Sequence, residues 1–336
     1  MDLPRRFIEL SVESMKDVKG EVLNVHGEIF QDSLVNGDDE DSIYIGDPES
    51  PIRVIQVRPI RDDTPIIAID ASNVKIGETE RGILCAVRGA VIWNRKRRYR
   101  YIRIGPFPFY INAENRDEIL HLLRKHHIPA SNSSSLTEIQ IKLGSLIENW
   151  IQINVCRSSN RSIILIDGSL TANRNSDSLN MYMQMLRSAR EKENSILAFS
   201  KMTKLRVLGR RILDLHLKYR PPWILTIDDF QPFNLHLLGD IYIAKFTERG
   251  YSFRVDIDHT LPDEEKIRAV KRLLGNDSVF QSYPESLRLA HIYSTFTANE
   301  VIGIQRFISQ QFGIKIISQH NFRRSLFGPY GTEMDD

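Results

Sequence analysis

The sequence predicts an α/β fold, a mixed sheet flanked by helices, and three observations predict it. First, two segments share one construction. Ile66-Ile-Ala-Ile-Asp70-Ala-Ser72 and Ile163-Ile-Leu-Ile-Asp167-Gly-Ser169 are runs of β-branched and aliphatic residues that end in an aspartate followed by small residues. Nearly continuous apolar runs belong to strands covered on both faces. Second, strand-like runs at residues 82–93 and 99–104 follow the Asp70 strand, joined by the basic turn Asn94-Arg-Lys-Arg-Arg98 in a hairpin pattern. Third, helical periodicity over residues 115–126 and 135–153 separates that hairpin from the Asp167 strand. Asn115 stands at the first helix's cap, with Asp117 and Glu118 in its first turn.

Three consecutive antiparallel strands, then helix, then a strand parallel to the first is the order of a ribonuclease H-like core. In that order the first and fourth strands are neighbours, and each delivers a carboxylate at its C-terminal end, where ligand groups of open α/β sheets collect. Asp70 and Asp167 then face each other. Singly, each is an ordinary turn or cap residue; as a pair of close like charges they call for a shared proton or a divalent cation.

The remaining elements follow in order. Residues 1–62 read as an N-terminal appendage: a short amphipathic helix, a Val-Leu-Asn-Val-His strand and the acidic, solvated loop Asn36-Gly-Asp-Asp-Glu-Asp41. After the Asp167 strand come a helix at 177–194, a strand at 195–199 and a basic helix running from Ser200-Lys-Met-Thr-Lys-Leu-Arg206 to Leu217. Strands at 223–227, 240–245 and 251–256 precede a helical end.

Composition bounds the function. A 41% hydrophobic content supports a sizeable core, and 45 basic against 43 acidic residues leave only local clusters to speak about partners. Cys85 and Cys156 lie in apolar stretches without metal-like spacing and read as reduced core residues. No signal-peptide pattern opens the chain and no run approaches the roughly 20 apolar residues that span a bilayer, so a soluble, cytoplasmic protein with no membrane partner is expected. No Gly-x-x-x-x-Gly-Lys-Ser/Thr stretch exists, which assigns any ATP-driven motor to another subunit. Asp256-Ile-Asp258-His-Thr260 matches a dehalogenase-type phosphatase motif, but too little chain follows it to build that core.

The helix before the Asp167 strand offers Glu138 and Glu148. Glu148 is the better candidate, because Leu143, Leu146, Ile147, Trp150 and Ile151 set a buried face near it. With three acids, two divalent cations can be held by oxygen ligands and a phosphodiester aligned for in-line displacement. Tyr283 and His291 lie eight residues apart around Pro284, so that a loop presents the tyrosine and the following helix the histidine. Alone, each reads as core among Leu287, Leu289, Ala290 and Ile292, and Lys201 as an exposed cap-region lysine; in a two-metal site a histidine there can bind metal or pass a proton, and Lys201 can supply positive charge to a phosphate. Two basic clusters suit nucleic acid: Arg95, Lys96, Arg97, Arg98, Arg100 and Arg103, interleaved with Tyr99 and Tyr101, and Lys204, Arg206, Arg210 and Arg211.

Ile-Asp-Ala-Ser at Asp70, Leu-Ile-Asp-Gly-Ser-Leu at Asp167, Phe-Ser-Lys-Met-Thr at Lys201, Phe-Arg-Val-Asp at Asp256 and Tyr283-Pro-x6-His291 occur in an order that resembles the NurA nucleases, over residues 65–300. The resemblance implies a NurA-like nuclease domain with a ribonuclease H-like core at residues 63–330. It implies a Mn2+-dependent deoxyribonuclease, with Mg2+ as the alternative ion, acting on DNA ends in repair as a homodimer with a HerA-like hexameric helicase-translocase. By the same resemblance Asp70, Glu148 and Asp167 bind metal, and Tyr283 and His291 complete the site. The competing reading is a non-catalytic DNA-end-binding clamp subunit, against which the intact acids stand.

Overall fold

The computed structural model describes residues 3–26, 44–45, 53–173, 178–201, 206–207, 210–211, 219–227 and 235–319. Helix α1 (Arg5–Ser14) precedes strands β1 (Val22–His26) and β2 (Arg53–Gln56). Strands β3 (Ile66–Glu78), β4 (Gly82–Arg95) and β5 (Arg98–Asn112) come next, followed by α2 (Arg116–Lys125), α3 (Leu136–Ser158) and β6 (Ile163–Asp167). Then come α4 (Ser178–Glu191), β7 (Ser195–Ser200), β8 (Trp223–Thr226), β9 (Gly239–Lys245) and β10 (Phe253–Asp258). The last elements are α5 (Asp263–Asn276), α6 (Glu285–Ser294), α7 (Ala298–Phe312) and β11 (Lys315–Gln319).

Among the described residues these eleven strands form one mixed sheet. β3 and β4 pair antiparallel, as do β4 and β5, whereas β6 lies parallel to β3 with Ile66 opposite Ile163 and Ile69 opposite Ile166. β7 continues parallel beyond β6, and β10, β9, β8 and β2 extend the sheet in antiparallel order. This is the α/β mixed sheet that the order of apolar runs predicts. The described parts of residues 1–62 add to it: β1 pairs with β3 and with β11, and β2 borders β8.

Alternation along β3 divides the core between two helical layers. Ile67 and Ile69 pack with Leu143, Ile147 and Ile151 of α3, Ile119 of α2 and Met185 of α4. Ile66 and Ala68 pack on the other side with Leu273 of α5 and with Leu287 and Ala290 of α6. Burial on both faces, at about 1.5–3 kcal/mol per large aliphatic side chain, is why these strands are unbroken apolar runs.

The structure departs from the sequence reading in five places. β3 does not stop near Asp70 but runs on to Glu78, because beyond Ile69 it exchanges β6 for β1 on that edge. Gly77 permits the exchange, since a Cβ there would sit 2.7 Å from Leu23 and 2.9 Å from the Asn24 carbonyl. Asn115 occupies the N-cap position of α2 without capping it; its side chain turns back to bond Tyr110 O and Asn112 N. Arg206–Val207 and Arg210–Arg211 are short antiparallel strands, not part of a basic helix, consistent with the low helix propensity of Gly209 between them. The chain after α7 forms β11, parallel to β1, where only helix is expected from sequence. The hairpin turn narrows to Lys96 and Arg97, both at positive φ, as two-residue turns between twisted strands require. The acidic loop at residues 36–41 and Lys204 lie outside the described residues.

Candidate active site

The site forms where β6 ends and β3 continues. Asp70 stands inside β3, 6% exposed and on the α6 side, and Asp167 is the last residue of β6. Gly168 turns the chain immediately after Asp167 at φ +114°, a backbone that favours glycine. The turn is anchored by Gly168 N–H donating to Phe199 O at 2.9 Å and Ser200 Oγ donating to Gly168 O at 2.7 Å. One helical turn of α6 then brings His291 over Asp70, with Nδ1 3.2 Å from Oδ2. Asp70, Asp167 and His291 each offer one ligand atom, and the three atoms lie within 4.8 Å of one another.

The other sequence candidates converge on this cluster. Lys201, just past the end of β7, donates from Nζ to Asp167 Oδ2 at 2.6 Å, and the same ammonium lies 5.3 Å from the centre of the Tyr283 ring. Tyr283 is buried, and its hydroxyl has no hydrogen-bond partner among the described residues. It lies outside bonding geometry to Asp167, yet the phenol pKa is pushed well above its usual value, by burial first and then by the charges of Asp167 and Asp70. Glu148 comes from α3, on the opposite face of the sheet from α6, and accepts from Gln152 Nε2 at 3.2 Å. It is outside the three-residue ligand cluster, but both aspartates act on it: burial, then Asp70, then Asp167, push its pKa well above the ordinary carboxylate range. Glu138, by contrast, is taken up by a capping box with Ser135 at the start of α3.

Burial raises the pKa of Asp167 while the ammonium of Lys201 opposes the rise. The imidazole pKa of His291 is raised by its bond to Asp70 and lowered by desolvation. A polar cluster carrying three carboxylates and a phenol with no partner among the described residues, relieved there by Lys201 and by His291, has the donor set of a hard divalent cation. Asp70, Asp167 and His291 are the residues placed to hold one, with Glu148 close enough to feel their charge.

Replacing Glu148 by glutamine therefore has a defined sign. A carboxyl whose folded-state pKa is raised contributes stability that is present below its unfolded pKa and lost as pH rises through the folded value. Glu148→Gln is expected to raise the melting temperature of the metal-free protein by a few degrees at neutral pH and to leave it unchanged in acid. Thermal melts with chelator from about pH 4 to about pH 8 check this; a variant that melts below the wild type throughout contradicts it.

Residues around the site are claimed by structure. Arg254 and Asp256 form a buried pair, Nε to Oδ1 at 2.7 Å and a second bond to Oδ2 at 2.8 Å, and Asp256 Oδ2 also accepts from Leu170 N at 2.9 Å, fixing the chain that leaves Asp167. Asp258 accepts from Thr260 N and Oγ1. The phosphatase-like motif is thus a set of structural contacts. Sequence reasoning also missed Ser294, whose Oγ donates to Asp70 Oδ2 at 2.5 Å; its one legible signal was a position three residues after His291 on the same helical face.

In the basic hairpin, Arg95, Lys96, Arg97, Arg98 and Arg100 are exposed, and among the described residues only Lys96 of these five is ion-paired, with Asp63 at 3.2 Å. Arg103 is engaged instead by Glu300 and by Tyr293 O. Asn94 Nδ2 and Tyr99 Oη both donate to the buried carboxylate of Asp277, which also receives Ser286 N at the start of α6. The hairpin is thereby tied to the helix that carries His291. Arg206, Arg210 and Arg211 lie in the short strands already described.

The fold and the cluster define an α/β protein with a carboxylate and imidazole centre where one strand ends beside a parallel neighbour that continues. The chain belongs to the NurA family, whose domain matches residues 64–293. Among solved structures it is similar to the NurA nuclease from Sulfolobus solfataricus, at 17% identity and a TM-score of 0.49, covering 77% of this chain and 87% of that one. It is also similar to a NurA bound to dAMP and manganese, at 8% identity and a TM-score of 0.42, covering 73% and 88%. No curated protein matches. No helix among the described residues is long and apolar enough to cross a membrane.

Proposed function

We propose that this chain is a metal-dependent deoxyribonuclease, a 5'-3' exonuclease and/or single-strand endonuclease that works in DNA double-strand break end resection. The observation that carries the proposal is the meeting of Asp70, Asp167 and His291 within 4.8 Å, with Lys201 at hydrogen-bonding distance from Asp167. Family membership supports the nuclease class. It also supports the assignment of a HerA-like hexameric motor and a homodimer as partners, and of Mn2+, with Mg2+ as the alternative and two ions in the full site.

Asp70, Asp167 and His291 would hold the cation, with Glu148 as the further carboxylate. Bound there, a divalent cation supplies positive charge to a phosphodiester and favours ionisation of water at the site. The protein's own groups divide the remaining work. Lys201, half-exposed, offers its ammonium to a phosphate oxygen. Tyr283 stays protonated and presents a hydroxyl that is not engaged elsewhere among the described residues. His291, fixed by Asp70 through Nδ1, keeps Nε2 to bind or to return a proton to the leaving oxygen.

The test is degradation of linear single- and double-stranded DNA by the full chain with Mn2+, with chelator, and by Asp70→Ala. Cleavage that requires both the metal and Asp70 is expected. Equal cleavage by Asp70→Ala would overturn the proposal, and binding without cleavage would replace it with the clamp reading.

The hairpin makes a separate prediction. Changing Arg95, Arg98 and Arg100 together to alanine is expected to weaken DNA binding and to reduce the salt slope of log K by about 2–3, at roughly 0.7–0.9 per lost phosphate contact. The rate at saturating DNA should stay near that of the wild type. Fluorescence anisotropy across a salt series reads the slope, and an unchanged slope removes the hairpin from the DNA path.

A further inference from the structure

The Asp70 carboxylate, like that of Asp167 with Lys201, is held from outside its own strand. Asp167 ends its strand at an anchored glycine turn, whereas Asp70 sits within a continuous strand. Helix α6 supplies the partners of Asp70. His291 and Ser294 are three residues apart and so share a helix face, and both address the same oxygen of Asp70, Oδ2, at 3.2 Å and 2.5 Å. Ser294 is fully buried, its Oγ also lies 3.0 Å from His291 O, and its own carbonyl accepts from Ser72 Oγ at 2.6 Å. Residues 70 and 72 point to one face of β3, so a single turn of α6 is laced to two successive side chains on that face.

The residue types are those of a Ser-His-Asp hydrolase, but the connectivity is not. In that mechanism the hydroxyl bonds the imidazole and is open to substrate; here it bonds the carboxylate and has no access to solvent. A nucleophilic role is ruled out, and an orienting role fits. With Oδ2 held by two donors, Oδ1 is the Asp70 oxygen that no side chain engages among the described residues.

We propose that Ser294 is a positioning residue: it locks the Asp70 carboxylate through Oδ2 so that Oδ1 is presented to the cation shared with Asp167. The proposal rests on the metal-dependent reading above and extends it to a residue outside the ligand set. Outer hydrogen-bonding partners of metal ligands are commonly worth 10–100-fold in affinity.

The experiment titrates Mn2+ alone into the full chain, following the free-ion signal by electron paramagnetic resonance, for the wild type, Ser294→Ala, Ser72→Ala and Asp70→Ala, with a thermal melt of each. Ser294→Ala is expected to bind Mn2+ about tenfold or more weakly. Ser72→Ala, which loses the neighbouring tie between β3 and α6 but leaves the Asp70 carboxylate bonded, is expected to bind as the wild type does. Ser294→Cys, close in size but a weak donor, should fall between wild type and alanine, and it serves as the test if the alanine protein fails to fold. Wild-type affinity in the Ser294 variants, or an equal loss in Ser72→Ala, would overturn the positioning role. Wild-type affinity in Asp70→Ala would instead remove the metal reading and this proposal with it.

Discussion

Asp167→Asn is expected to fold normally and to lose Mn2+-supported cleavage by more than about a hundredfold, beyond the 10–100-fold typical of residues that only support a ligand. Asparagine keeps the size of the side chain and removes its charge. Burial already disfavours that charge, raising the Asp167 pKa, so the variant sheds a desolvation cost and one of the site's like-charge repulsions. Lys201 loses its partner but is 41% exposed and can be solvated. Stability should therefore hold or rise at neutral pH while activity collapses. Steady-state cleavage alongside a thermal melt separates the two quantities, and activity within about tenfold of wild type would place the chemistry elsewhere.

The second large effect has the opposite character. Asp256→Ala is expected to destabilise the protein by about 3–5 kcal/mol, because it leaves the guanidinium of a buried arginine without its carboxylate. Arg254 is 1% exposed and Asp256 is fully buried, and the pair is bidentate. The same change orphans the N–H of Leu170, which Asp256 receives at 2.9 Å. It thus loosens the chain leaving Asp167, so the folded fraction should also cleave more slowly. Urea unfolding measures the loss. The double variant Arg254→Met, Asp256→Leu should recover part of it, since a buried ion pair replaced on both sides by apolar groups is often near neutral. A single variant as stable as the wild type would show that the pair holds nothing.

Asp167 and Asp70 also show what the sequence made legible. Asp167 was readable because its strand is short, apolar and followed by glycine, and Asp70 because its lead-in is the same. His291, Tyr283 and Lys201 came from ordered motifs, and the structure brings all three to the aspartates. Glu148 had the least local signal, an apolar face beside it that set it ahead of Glu138; in the fold both aspartates act on it, while Glu138 is spent in a capping box. The extension of β3 was hidden because the sequence cannot show that a strand changes partners partway along. Ser294 was hidden because a buried serine on a helix looks the same whether it caps, packs or orients. Asp256 was visible as an acid in a motif, but its use as a counter-ion depends on an arginine two residues away on the same face of β10. The pairing of β11 with β1 joins the two ends of the described chain, a contact with no local signature in sequence.

At the centre of the proposed chemistry, the two strand-borne aspartates hold a divalent cation. Anomalous diffraction from crystals of the full chain grown with Mn2+ tests it most directly. An anomalous peak is expected between Asp70 and Asp167, in reach of His291, and it should disappear in Asp167→Asn. A peak elsewhere, or none between the aspartates at a Mn2+ concentration that supports cleavage, would contradict it.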